Sequence, residues 1–195
     1  LENSIIVFTS DHGELFGAHG RRAKNIFYEE AIRVPFLIQW KGHLAADAQR
    51  DFVFNTVDIM PSLLSLMQLP IPKKVEGTDY SKCIEGEEDT KDGALMMCTG
   101  PTAAWGDGTE WRGYRTKKYT YAVYKKDGKE LLFDDQKDPY QMHNLAEQAE
   151  YKDVLTDLKE AMWKKMDGIN DTFEHNSYYK ENWVKDRIIV HTATI

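Results

Sequence analysis

The hydrophobic pattern along the chain changes period twice. Ile5-Ile6-Val7-Phe8 and Pro35-Phe36-Leu37-Ile38 are short apolar runs without alternation, the pattern of strands covered on both faces in a parallel sheet. A long polar stretch separates them. After Asp58, the residues Ile59, Leu63, Leu64 and Met67 fall at helical spacing, with Pro61 expected in the first turn and Pro70 and Pro72 ending the helix. From Ile71 to Gly93 the chain is polar and charged, which predicts a long surface connection and a subdomain boundary. Beyond it, strands are predicted over 94–98, 111–116, 119–124 and 129–133, with Lys126-Asp127-Gly128 as a hairpin turn. Alternation within 119–124 fits an antiparallel sheet with one face covered. Tyr151, Leu155, Leu158, Met162 and Met166 recur at steps of four, three, four and four, forming one face of an amphipathic helix that would supply that cover. Ile188-Ile189-Val190 predicts an added edge strand. The expected fold is α/β, with residues 1–90 forming part of an α/β sheet domain. Residues 91–195 would form a small antiparallel sheet packed on its helix, with a tail.

Composition narrows the function classes. Hydrophobic residues make up 42% of the chain and charged residues 29%, with a formal net charge of -7. That balance suits a globular protein and offers no basic surface for a nucleic acid backbone. An anionic substrate would be slowed by the overall field, so it needs a local cationic pocket or a bound metal. No apolar run approaches the roughly 20 residues of a membrane span, and no targeting signal is read. A buried-strand pattern almost at Leu1 predicts that the chain begins inside a domain, and that alone it self-associates through uncovered sheet surfaces. Cys83 and Cys98 either close a loop worth about 3 kcal/mol in the chain-entropy model or remain two separate thiols.

Ligand crevices in α/β sheets lie beyond the carboxyl ends of the strands, and Ser10-Asp11-His12-Gly13 stands at such an end. Asp11 offers a hard anionic oxygen and His12 an imidazole nitrogen, a pair able to reach one divalent cation if the chain turns sharply at Gly13. A plain turn after a strand would use the same three residues. Thirteen positions beyond Asp11 stands Lys24, a cation suited to neutralising a tetrahedral anion or a leaving oxygen, or simply a solvated surface lysine. Gly17 and Gly20 allow tight backbone around His19.

These residues resemble the sulfatases of the alkaline phosphatase-like superfamily. "SDHGELFGAHG", followed by "AKNIFYEEAIRVPFLI", is similar to that family's S-D-(H/N)-G strand end, its lysine thirteen residues on and its Y-E-E-x-x-R-V-P stretch. In the same order, "TVDIMPSLLSLMQLPIPKKVEGTDYS", "WRGYRTKKYTYA" and "ELLFDDQKDPYQMHNLA" resemble its later segments, so the likeness covers residues 4 to 166 or so. The resemblance implies the C-terminal part of a sulfatase-type sheet and hydrolysis of sulfate esters, sulfated carbohydrate among them. It makes Asp11 and His12 ligands of an active-site divalent cation, calcium by family expectation, and places Lys24 on the sulfate and its leaving oxygen. His12 departs from the asparagine of many members and leaves magnesium or manganese open. "GRRAK" departs from the usual loop sequence, so Arg21 and Arg22, with His19, are candidates for substrate contact, or the two arginines simply face solvent.

The family's C/S-x-P-S-R motif, whose Cys or Ser becomes the formylglycine nucleophile, does not occur in these 195 residues. Neither "CIEGE" nor "CTGPT" fits it. The expectation is a chain that supplies half of an active site, is inactive alone, and by family works in periplasm, lysosome or medium. Two alternatives stand beside it. One is a phosphate or phosphonate ester hydrolase of the same superfamily. The other is a carbohydrate- or partner-binding module using Trp105, Trp111, Tyr114, Tyr119, Tyr121 and Tyr124 as stacking surface.

Overall fold

The computed structural model describes residues 3–88, 93–100 and 106–190. Trp105 therefore lies outside the described residues. The chain divides into two compact units, Leu1–Lys24 with Glu30–Asp92, and Asn25–Glu29 with Gly93–Ile195.

In the first unit, β1 (Ile5–Thr9) pairs with β2 (Phe36–Trp40) in antiparallel register, Ile5 opposite Trp40 and Thr9 opposite Phe36. This corrects the parallel pairing expected from sequence. A parallel partner needs a crossover that returns to the start of the first strand, whereas residues 10–35, with only the four-residue α1 (Glu29–Ile32), leave and re-enter at the same end. Phe8 and Leu37 are both 62% exposed.

The helix after Asp58 is α2 (Thr56–Leu66), and it begins two residues earlier than expected. Asn55 caps it, its side chain accepting from the Thr56 amide, while Asp58 reaches back to the Asn55 amide in a capping box. Pro61 thus stands at the sixth helical position and not in the first turn. It withholds a donor from the Val57 carbonyl, and Gly77 packs onto that carbonyl so closely that a Cβ there would sit 1.9 Å from the oxygen.

The stretch read as a surface connection is built onto this helix. Asp58 accepts from the Thr78 amide, the Ser62 hydroxyl accepts from the Tyr80 amide, and α3 (Ser81–Glu85) is held by the Ser81–Ser65 hydroxyl pair at 3.0 Å. Tyr80 and Ile84 are buried, and Tyr80 joins Phe36, Phe52 and Phe54 in an aromatic cluster with ring centroids 4.7–5.7 Å apart. Scattered single aromatics such as Phe52 and Tyr80 leave no periodic trace, which is why the sequence reading missed this core.

The second unit is a meander of β3 (Ala94–Cys98), β4 (Trp111–Arg115), β5 (Tyr119–Tyr124) and β6 (Glu130–Asp134), antiparallel throughout and in that spatial order. Leu95, Tyr114, Tyr121 and Leu132 stand opposite one another in a row. Onto that row packs α4 (Lys152–Gly168), whose Leu158, Met162 and Met166 complete the core with Phe173. The predicted amphipathic face is the one that is buried. The other sheet face is covered too: Phe27 is fully buried against Trp111, Tyr124 and Phe133, and the Trp111 indole donates to the Asn25 carbonyl. Tyr114 and Tyr121 thus face α4 while Trp111 and Tyr124 face Phe27.

After α4, α5 (Asn176–Trp183) leads to β7 (Val184–Lys185) and β8 (Ile188–Ile189). The last two pair only with each other, so Ile188-Ile189 closes a hairpin of its own and adds no edge to the meander. Both cysteines are free thiols. Among the described residues no helix is long and apolar enough to cross a membrane.

Candidate active site

The site is built at the mouth of the β1–β2 pair, where residues 10–35 emerge. The Ser10 hydroxyl donates to the His12 carbonyl at 2.8 Å, and the His12 amide donates to Asp11 Oδ1 at 3.0 Å, which folds the strand end into a tight corner. Gly13 is required there by space and not by backbone angle. A Cβ on it would stand 2.0 Å from the Glu30 carbonyl oxygen, and its amide donates to Ala31 at 2.8 Å.

Within this corner, His12 Nδ1 lies 2.7 Å from the Gly13 carbonyl oxygen. A carbonyl only accepts, so Nδ1 is the donor in this contact and Nε2 is the ring nitrogen left facing Asp11. Nε2 lies 3.3 Å from Asp11 Oδ2. Desolvation pushes the Asp11 carboxyl up, but the charge of His12, the His12 amide and the Ser10 hydroxyl outweigh it and hold the pKa below the usual aspartate value. The pair presents a carboxylate oxygen and an imidazole nitrogen side by side, a donor set that fits a divalent cation.

The loop that follows doubles back. The Leu15 amide donates to the Ala23 carbonyl at 3.1 Å, the Gly17 amide donates to Arg21 at 2.8 Å, and Glu14 accepts from the Ala23 amide. These bonds return Ala23 to the level of Glu14, so Lys24 follows beside the residues that continue the Asp11–His12 corner. Lys24, Arg21 and Arg22 are exposed. His19 is turned differently: its side chain is only 9% exposed, and its Nε2 lies 3.5 Å from Glu30 Oε2. No spacing rule marks Glu14 or Glu30 as its loop's partners; the sequence reading assigns Glu14 no role and Glu30 only a place in the Y-E-E stretch.

A second cluster stands in the other unit. One ligand atom each from Asp107, Glu110 and His175 lie within 4.8 Å of one another. Both carboxylates already serve the start of α5: Asp107 accepts from the Ser177 amide and hydroxyl, and buried Glu110 accepts from the Asn176 and Gly108 amides. For Asp107 those Ser177 bonds, and for Glu110 its backbone partners acting against desolvation, keep the carboxyls ionised below their usual range.

A family model described as N-sulphoglucosamine sulphohydrolase, C-terminal, matches residues 17–168. The chain is 39% identical over 192 residues to the "Ulvan-active sulfatase" of Formosa agariphila, an alignment covering 94% of this chain and 37% of that protein. A structure described as a complex with the substrate D-glucosamine-2-N,6-O-disulfate has the same fold, with a TM-score of 0.78 at 24% identity over 88% of this chain and 36% of the other. The phosphonate monoester hydrolase of Agrobacterium radiobacter matches with a TM-score of 0.70 at 26% identity, over 84% of this chain and 35% of that one. Fold and matches together place the chain in the alkaline phosphatase-like class. Within that class the chain belongs to the sulfatase family, as its C-terminal portion.

Proposed function

We propose that this chain contributes the metal-ligand pair and a cationic loop to the active site of a sulfatase acting on sulfated carbohydrate. The observation that carries the proposal is the meeting of Asp11 Oδ2 and His12 Nε2 at the mouth of β1–β2. Asp11 and His12 would hold a divalent cation, calcium by family expectation, with magnesium or manganese compatible with the imidazole nitrogen. Such a cation supplies Lewis-acid polarisation of a sulfate oxygen. The chain's own residues do the rest of their half. Asp11 stays ionised, and the Gly13 carbonyl orients the His12 ring. Lys24 binds the sulfate and neutralises charge on the leaving oxygen. Arg21 and Arg22 add local positive charge that an anionic glycan needs against a net charge of -7. The nucleophile is carried by a segment outside these 195 residues, and the complete enzyme works in periplasm, lysosome or medium. The carbohydrate substrate class is supported by the description of the Formosa relative as ulvan-active.

The test uses the full-length enzyme, in which this chain is joined to the sulfatases' N-terminal portion. With 4-nitrophenyl sulfate and a panel of sulfated glycans, Asp11→Ala should lower kcat/KM by about 10²–10³-fold. Dialysis against a chelator should abolish turnover, and re-addition of one divalent ion should restore it. Unchanged turnover in Asp11→Ala would refute the site. The likeness to the phosphonate monoester hydrolase supports a second reading. Phenyl phosphonate esters cleaved faster than the sulfates would favour it.

A further inference from the structure

We propose that His19 and Glu30 are a positioning pair that holds Lys24 against the leaving oxygen, and that His19 serves the reaction through this clamp and not by touching substrate. The inference rests on the reading of Lys24 given above. Its starting point is a contrast within one loop. Gly17, Gly20, Arg21, Arg22, Ala23 and Lys24 are all exposed, and a lysine on such a loop has four side-chain bonds to immobilise. His19 turns inward, with 9% of its side chain exposed.

It does so in a backbone conformation that L-residues avoid. His19 has φ 54° and ψ 22°, between Gly17 at φ 105° and Gly20 at φ 67°. A left-handed residue that is not glycine costs on the order of 1–2 kcal/mol and persists where its surroundings over-determine it. Glu30 faces it: its Oε2 lies 3.5 Å from His19 Nε2 and is buried without a hydrogen-bond partner. Burial of that carboxylate oxygen is costly unless a cationic or donating group faces it, and His19 is placed to do so.

Glu30 is itself fixed from the other side. Its backbone carbonyl occupies the space a Gly13 Cβ would need, and the next carbonyl, that of Ala31, accepts from the Gly13 amide. The Asp11–His12–Gly13 corner therefore packs on Glu30 and Ala31, and the tip of the Lys24 loop faces Glu30 through His19. At its base the loop is closed by the Leu15–Ala23 hydrogen bond and by Glu14 on the Ala23 amide. With tip and base both tied, the residue leaving the loop at Lys24 keeps a constant place relative to the metal-ligand pair. Loss of the tip contact frees the loop and lets Lys24 drift from a departing oxygen.

The experiment measures kcat/KM of the full-length enzyme for two aryl sulfates, 4-nitrophenyl sulfate with a good leaving group and phenyl sulfate with a poor one. The ratio of the two is independent of the fraction of enzyme that folds. His19→Ala and Glu30→Ala should each shift the ratio towards the good leaving group by roughly tenfold, short of the about 10²-fold that a 1 Å misplacement can cost. His19→Gln, which keeps a donor towards Glu30, should restore most of the wild-type ratio. In a Lys24→Ala background, which shifts the ratio by itself, neither variant should shift it further. A ratio unmoved by His19→Ala, or a full second shift on top of Lys24→Ala, overturns the positioning role alone. A ratio unmoved by Lys24→Ala overturns the leaving-oxygen role of Lys24, and the inference falls with it.

Discussion

Arg112 is among the largest side chains fully withdrawn from solvent, and all of its donors are used. Its guanidinium forks onto both oxygens of Asp171, donates to the Cys98 and Trp111 carbonyls and the Tyr179 hydroxyl, and lies 4.7 Å from the centre of the Phe173 ring. Burial pushes the Asp171 carboxyl up, but hydrogen bonds and charge from Arg112, with the Phe173 amide, hold its pKa below the usual range. The sign follows: the stabilisation is complete above the unfolded aspartate value of about 3.9 and is lost as pH falls through the lower folded value. Arg112→Met leaves a buried carboxylate unpaired and should cost about 3–5 kcal/mol at pH 7. Urea midpoints measured at pH 7 and pH 3 should show the gap to wild type narrowing in acid; a gap constant with pH would rule out the ion pair as its source. Sequence spacing made Asp11, His12 and Lys24 visible as candidates because they lie within fourteen consecutive residues. Arg112 and Asp171, 59 residues apart, share no local pattern.

At the scale of elements, the two tight glycines separate packing from chemistry. Ala at Gly77 would meet the Val57 carbonyl oxygen at 1.9 Å, and Ala at Gly13 would meet that of Glu30 at 2.0 Å. Backbone against backbone cannot yield as a side chain does, so each substitution should destabilise by roughly 1–3 kcal/mol. Gly77→Ala should lower the thermal midpoint and leave kcat/KM of the folded full-length enzyme intact. Gly13→Ala should lower both, because the corner that aims His12 moves with it. Equal activity in the two would remove the corner from the argument. The elements themselves were largely legible. The period of α4, the alternation of β5 and the turn at Lys126-Asp127-Gly128 are written within a few residues each. The capping box of α2 was equally local, since Asn55 and Asp58 are three apart, yet placing the helix start at Asp58 hid it.

At the scale of the molecule, the β1–β2 pair and α2 leave apolar side chains open to water, Ile6, Phe8 and Leu37 on the strands and Val57 and Met60 on the helix. Apolar surface of this kind drives association. Purified by itself, the 195-residue chain should run above its 22.6 kDa mass in light scattering, and Phe8→Glu with Leu37→Glu should shift it towards the monomer. The same preparation should give no turnover of 4-nitrophenyl sulfate; turnover abolished by Asp11→Ala would show that a nucleophile from elsewhere is unnecessary. Local sterics and hydrogen bonding, acting over three or four residues, sufficed for the sequence to specify most helices and strands and the corner that brings Asp11 beside His12. Tertiary structure alone decided that β1 and β2 run antiparallel, that Phe27 seals the meander from its second face, that Tyr80 returns to α2, and that His19 turns in to Glu30. Each of those contacts joins segments whose meeting depends on which loops close first and which surfaces fit, and that selection is made by the packed whole and leaves no periodic mark in the chain.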